Sequence, residues 1–441
     1  MNKLLRPRIS KNQAITMCLV LLFSYVLFIL NWFALGRLQG NELIGWISHF
    51  FGVQGTSIIV TQAINYGSTF IRGIVTILAS WLLVKLTHRY ASLISLLLMM
   101  SSLVAVYLPN FVLFVIGIMV MAMGGTTTIM FVKPIMAQFL PKKTQSIISL
   151  FMPWAYSSGA LVAFGLFVYE PWETVLIQNW QITAGIIAAL NFIPLVLYFF
   201  LGRNFSIKKT EMELEDPNLK PSSYLAIIKE KQTWIWILLY GLWLVLAVLL
   251  VFLIFPTLTD WKSDLNGDHL NNLDWKNLVA VSFFVGSFFG IWVGFWSWTS
   301  NKFKHYLSLI ILLILISFIG MVLSVHYGII WLSIVMAFLL GNLIIGVQAI
   351  LLYIPYLYKN WTSKRLSIFF GYLWGFGYIL YSFINIFSVL IITNWGYLAI
   401  IVFVGILILL FLGCSLVIKE PRPQGNNWKL SWSEIKSFLT K

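Results

Sequence analysis

Twelve apolar stretches recur along this chain, near residues 14–35, 57–86, 91–109, 111–139, 147–168, 182–201, 234–255, 279–298, 307–325, 329–353, 366–391 and 395–417. Each is on the order of 20 residues long, about what an α-helix needs to cross a hydrocarbon core roughly 30 Å thick. Inside such a core every backbone N–H and C=O must find a partner in the protein, which leaves helices and closed barrels as the available folds. Barrel strands are shorter and alternate in polarity, so these runs predict an all-α integral membrane protein. Composition agrees, with 60% of the 441 residues hydrophobic, 17% aromatic and 10% charged. The first run, Ala14 to Leu35, is too long for the core of a signal peptide and lacks a small-residue cleavage site, so it is expected to be a retained helix.

Polar residues divide the chain in two. The longest polar segment, 202–233, carries Lys208, Lys209, Glu211, Glu213, Glu215 and Asp216. It reads as a linker between an N-terminal six-helix unit, 1–201, and a C-terminal one, 234–417, followed by a tail, 418–441. The halves echo each other. His88-Arg89-Tyr90 is matched by Lys304-His305-Tyr306 at an offset of 216, Met121-Ala122 by Met336-Ala337 at 215, and Trp154 by Trp374 at 220. Lys and Arg are retained on the cytoplasmic side during insertion. Alternate loops together with both termini hold 24 of the 29 Lys and Arg residues, whereas the opposite loops hold Arg37, Lys262 and Lys276. Both termini are therefore expected on the cytoplasmic side of the plasma membrane, and the net charge of +15 reads as a topology signal with no nucleic-acid role. The tail segment from Trp428 to Leu439 has the pattern of a helix lying on the anionic inner leaflet.

Charges within the membrane are the chemically informative residues. All 14 Asp and Glu lie outside the apolar stretches, while Arg72 and Lys133 lie well inside two of them. A cation in hydrocarbon is costly and ordinarily faces a water-filled cavity or an anionic partner. Arg72 stands about 14 residues from the cytoplasmic end of its helix, roughly 21 Å at 1.5 Å per residue, too deep to snorkel. Its guanidinium can hold a carboxylate, nitrate or phosphate through two parallel hydrogen bonds. Lys133 lies roughly 12 Å from its helix end by the same rise and faces either the bundle or the interface. Asn31, Asn65 and Gln348 are polar candidates to complete a binding set, and Thr76 shares the face of Arg72 one turn on. Trp154 and Trp374 occupy matching mid-helix positions, near Tyr156 and Tyr378. The five histidines flank loops, and Cys18 and Cys414 sit singly in apolar runs, so neither metal, cofactor, disulfide nor acid–base catalysis is expected.

The paired halves and their basic loops resemble the major facilitator superfamily. The most local likeness is the segment joining the second and third helices, Ser80-Trp81-Leu82-Leu83-Val84-Lys85-Leu86-Thr87-His88-Arg89. It keeps the family's basic residues, Lys85, His88 and Arg89, but has Val84 where an aspartate is usual and lacks both glycines. The resemblance implies two pseudo-symmetric six-helix bundles, a cavity between them, and alternating access governed in part by the loop that carries Lys85, His88 and Arg89. It also implies transport of a small molecule, not an enzyme. Arg72 resembles in type and place the second-helix arginine of nitrate porters, although the equivalent position on the eighth helix is Phe288. The run Asn31-Trp32-Phe33-Ala34-Leu35 resembles part of the first-helix motif of organophosphate exchangers, without its arginine. A monomeric secondary transporter or exchanger of a small anionic solute is the leading expectation, with Arg72, Lys133, Asn31, Asn65, Trp154, Gln348, Trp374 and Tyr378 forming its site. A carrier of neutral or lipophilic solutes, with Arg72 structural, and a transporter-derived sensor or scaffold are the other expectations. Glycines at 124–125 and in 371–377 are expected to let helices approach closely and rock.

Overall fold

The structure, a computed structural model, describes residues 11–37, 50–51, 63–86, 88–140, 142–202, 222–255, 258, 275–358 and 363–421. The linker and tail expected from the sequence fall mostly outside the described residues. Those described are almost wholly helical. We label the long helices α1 (Lys11–Arg37), α2 (Ala63–Lys85), α3 (His88–Ala105, two helical pieces), α4 (Phe111–Phe139), α5 (Lys142–Gly165) and α6 (Trp180–Leu201, two pieces). The second set is α7 (Lys231–Ile254, its last turn π-helical), α8 (Trp275–Thr299), α9 (Phe303–His326), α10 (Ile330–Tyr353), α11 (363–395) and α12 (397–417).

Among the described residues, nine helices are long and apolar enough to cross a membrane. One of them, Ile368–Val417, is 50 residues long and is broken at Gly396, whose φ of 76° lies outside the helical region. With α2 and α5, of 23 and 24 residues, this accommodates the twelve crossings that the apolar runs predict. Local sequence explains the stops. Asn110 accepts from the N–H groups of Val112 and Leu113 at 2.8 and 3.3 Å and so caps α4, satisfying donors that a helix start leaves open. At the end of α9, Gly328 has φ 72°; its N–H reaches Val325 O while Ile329 N–H reaches Ser324 O. That paired pattern is a Schellman cap, and glycine adopts its left-handed turn without steric cost.

Helix α1 packs on α4, α5 and α6, with α2 and α3 against α4; in the second set α8 and α9 pack on α10, α7 on α11, and α12 on α9. The sets meet chiefly along two seams, α2 with α11 and α5 with α8, with α5 also touching α10. These seams are related by the same offset that relates the two halves of the sequence. Where aliphatic and aromatic side chains are exposed, as at Phe200, Trp296 and Trp331, they face outward from the bundle, as expected where the surrounding solvent is hydrocarbon. An aromatic cluster also joins the halves. The Phe33 ring of α1 lies 4.6 Å from Phe252 of α7, 5.6 Å from Phe284 of α8 and 5.6 Å from Phe164 of α5. Asn277 donates to Phe167 O at 2.6 Å nearby. These residues lie at the helix ends remote from the basic loops.

Small residues make the close crossings, beyond the glycine stretches expected from the sequence as well as within them. In α8 and α10 a side chain at Gly286 would run into Phe338 O, and one at Gly341 into Phe283 O. Because the obstacle in each case is backbone, neither can move aside. Gly341→Val should therefore cost at least the roughly 1–3 kcal/mol of an overpacked site. Gly405→Ala, where nothing lies within 4 Å, should be close to neutral. Unfolding of the detergent-purified protein by heat or denaturant measures both.

Candidate functional site

Arg72 sits in the middle of α2 and is 1% exposed. It is the one Lys, Arg, Asp or Glu that is buried among the described residues. Its Nε donates to Thr126 Oγ1 of α4 at 2.9 Å, and its Nη2 donates to Tyr378 OH of α11 at 2.7 Å and more weakly to Tyr25 OH of α1 at 3.5 Å. Three aromatic faces enclose the guanidinium, with Cζ 4.3 Å from the Tyr378 ring centroid, 4.7 Å from Trp32 and 5.1 Å from Phe28. Attraction of a cation to an aromatic face grows as water is removed, so this surrounding suits a charged guanidinium.

Helix geometry builds the nest. Positions 25, 28 and 32 fall on one face of α1, as residues three and four apart do, and that face turns to Arg72. Phe28 fits because Gly125 of α4 presents no side chain; a Cβ there would overlap the Phe28 ring. At the next residue along α2, Gly73 lets α11 approach: a Cβ there would lie 2.7 Å from Gly375 O and 2.6 Å from Ile379 Cγ1. A second bond, Thr69 Oγ1 to Ser382 Oγ at 2.8 Å, holds the same seam. Three more phenols stand close enough to interact electrostatically with Arg72: Tyr156 of α5, Tyr240 of α7 and Tyr381 of α11.

Of the residues singled out in the sequence, Arg72, Tyr378 and Trp374 come together. Trp374 is buried one turn before Tyr378 and is stacked on Tyr240, with centroids 6.5 Å apart and planes 21° apart. Asn65 lies two turns before Arg72, buried, its carbonyl accepting from Ser68 and Thr69. Asn31 does not join the set: adjacent to Trp32 in sequence, it is rotated about 100° round α1 and donates to Ser102 of α3 at 2.8 Å. Trp154 gives its indole N–H to Phe288 O at 3.1 Å, which ties α5 to α8 and not to Arg72. Gln348 lies next to Ala349, which packs on that tryptophan; its buried Oε1 has no hydrogen bond among the described residues.

The loop residues divide similarly. His88, expected at a gate, is buried as the first residue of α3, with Nε2 3.0 Å from Phe131 O and Nδ1 3.2 Å from Tyr198 OH, inside its own half. Arg89 is half-buried, 6.0 Å over both the Tyr90 and Phe199 rings. The side chains of Lys133 and Lys85 lie outside those described. Missed by the sequence reading as site residues were Tyr25, Phe28, Trp32, Thr126, Tyr156, Tyr240 and Tyr381. A signal for two of them was present, because Tyr240 follows Tyr25 by 215 residues, the spacing of Met121 and Met336.

A family profile described as Mycoplasma MFS transporter matches residues 114–393. The chain belongs to that family. An uncharacterised protein of Mesomycoplasma hyopneumoniae (strain J) is 30% identical, the alignment covering 88% of this chain and 84% of that one. A major facilitator superfamily transporter of Mycoplasma genitalium is 23% identical over 86% of this chain and 84% of its own length. Among solved structures, a D-xylose–proton symporter superposes with a TM-score of 0.65 at 14% identity, covering 93% of this chain and 99% of that chain. The superfamily fold expected from the paired halves is thereby shown, and with it a multi-pass membrane transporter of small molecules.

The Arg72–Tyr378 bond crosses between the halves, so its removal should be felt in the empty protein. Tyr378→Phe keeps the aromatic face but leaves a guanidinium N–H unsatisfied, at a cost of roughly 1–3 kcal/mol. In an Arg72→Met background the same change should cost less, and a double-mutant cycle on unfolding free energies should give a coupling of about 0.5 kcal/mol or more.

Proposed function

We propose that this transporter carries a small anionic solute by alternating access, with Arg72 as the charged group that holds it. The observation carrying this reading is a cation buried among aromatic rings and hydroxyls contributed by both halves, with no carboxylate among its described partners. In a bilayer such a charge is normally matched by a partner or faces an aqueous path, and an anionic solute supplies the match. The two halves, 1–201 and 234–417, would rock about the seams α2–α11 and α5–α8, with both termini on the cytoplasmic side and the protein acting as a monomer. Exchange of one anion for another suits a site without a proton-carrying carboxylate. Trp374 and Tyr378 belong to the proposed site, with Asn65 and Gln348 as polar edges; Lys133, seven residues beyond Thr126 on α4, would on this reading snorkel to the cytoplasmic interface.

A second reading has its own support. Thr126 and Tyr378 already engage two nitrogens of Arg72, as a structural arginine would have, and the structural relative named above is a symporter of a sugar. On that reading the solute is neutral.

Ligand binding separates the two. Thermal unfolding of the purified protein against inorganic anions, carboxylates, phosphate esters, sugars and lipophilic cations should show stabilisation by an anion. The effect should approach about 2.7 kcal/mol at a hundredfold excess over the dissociation constant. Arg72→Gln should abolish that shift and the corresponding uptake into proteoliposomes. Equal stabilisation of both proteins by a neutral compound would make Arg72 structural.

A further inference from the structure

The polar groups around Arg72 left without a partner among the described residues each carry a hydrogen to donate. Among the described residues no hydrogen bond reaches its Nη1, while Nε and Nη2 are engaged. Tyr156 OH, Tyr381 OH and Trp32 Nε1 are buried and make no hydrogen bond. The Trp32 ring lies 4.7 Å from the guanidinium carbon; Tyr381 stands about one turn beyond Tyr378 on α11, and the Tyr156 ring lies 5.6 Å from that of Phe33, the residue after Trp32. Burying a donor with nothing to receive it is unfavourable. These three groups and the unbonded Nη1 of one cation, contributed by α1, α5, α11 and α2, make a site suited to an acceptor-rich guest.

Charge then limits that guest. Arg72 is the one buried Lys, Arg, Asp or Glu among the described residues. In a poorly solvated site a single positive charge matches one negative charge; a second would be buried uncompensated and would carry a large desolvation penalty. A sugar could bond the two phenol hydroxyls, which accept as well as donate, but it brings no charge to match the guanidinium. Resting on the anion reading above, we propose that the solute is a monoanion whose acceptor oxygens face Arg72: a monocarboxylate or similar singly charged oxyanion, in preference to a dicarboxylate, a phosphate monoester or a sugar. Tyr156, Tyr381 and Trp32 set this preference by donating to the anion beside Nη1.

Binding to the full-length protein at pH 7.5, measured by titration calorimetry, tests it with a matched set: formate, acetate, propionate, lactate, benzoate and nitrate as monoanions; malonate, succinate and phenyl phosphate as dianions; propionamide and xylose as neutral compounds. At least one monoanion should bind, at least tenfold more tightly than every dianion and neutral compound. Tyr156→Phe and Tyr381→Phe should each weaken that monoanion several-fold while leaving unfolding of the empty protein unchanged or slightly raised, because each removes a buried hydroxyl that has no partner. Arg72→Lys, which keeps the charge, should retain the monoanion preference at lower affinity. Tighter binding of a dianion would overturn the single-charge inference while leaving the anion reading standing, and would implicate Lys133 as a second cation. Neutral compounds binding wild type and Arg72→Gln alike would overturn both. So would an absence of binding by every anion. Loss of empty-state stability in the two tyrosine variants, with monoanion affinity intact, would assign their hydroxyls to packing.

Discussion

A guanidinium buried in the centre of a membrane-spanning bundle is the constraint around which the rest of this molecule is arranged. Moving such an ion out of water costs several kcal/mol even after relaxation. A carboxylate is the usual compensation, and it would cancel the charge. Here compensation comes from hydroxyls and aromatic faces: Thr126 and Tyr378 accept from Nε and Nη2, and the rings of Phe28, Trp32 and Tyr378 enclose Cζ. Hydrogen bonds to a charged group are worth about 1.5–3 kcal/mol, and a desolvated cation–π contact about 2. Such partners stabilise the cation without neutralising it, so its formal charge stays available.

Close helix approach makes that solution possible. Phe28 reaches the guanidinium over Gly125, and Tyr378 reaches it because Gly73 and Gly375 let α2 and α11 meet nearly backbone to backbone. The same principle recurs at the α8–α10 crossing, where Gly286 and Gly341 each face a carbonyl of the partner helix. Without a hydrophobic force between helices in lipid, contacts of this kind and the bonds they permit drive association. Gly125 and Gly375, from the two glycine stretches expected to let helices approach closely, thus serve the site as much as the scaffold.

The architecture was legible because hydropathy in a bilayer is a one-dimensional code: the apolar runs coincide with the helices to within a few residues, and even the break at Gly396 separates the two predicted runs near 366–391 and 395–417. Arg72 was legible for the same reason, as a charge where none is cheap. Its surroundings were harder to read. Tyr25 and Tyr240 look like ordinary aromatics in an aromatic-rich chain, and which face of α1 meets α2 is decided by packing between segments distant in sequence. Asn31 illustrates the difficulty. Its polarity marked it as a ligand, but the face that meets Arg72 is that of 25, 28 and 32, and Asn31 lies off it, bonded to Ser102. His88 shows the converse, a loop-flanking residue whose ring is locked into its own half by Phe131 and Tyr198.

The two seams between the halves are alike in topology and unlike in chemistry. Tyr25 and Tyr240 occupy repeat-related helices, as do Tyr156 and Tyr378, so phenols approach the centre from both halves. The cation has no such counterpart, since the residue 216 positions beyond Arg72 is Phe288. On the α2–α11 seam the halves are joined by Arg72 and Tyr378; on the α5–α8 seam they are joined by the Trp154 indole and the Phe288 carbonyl, a neutral bond to backbone. A group that competes for the guanidinium therefore acts on one seam and leaves the other held. A ligand shifts a conformational equilibrium only through contacts that differ between the states, and on the proposed reading the contact that an anion would compete for lies where α2 crosses α11.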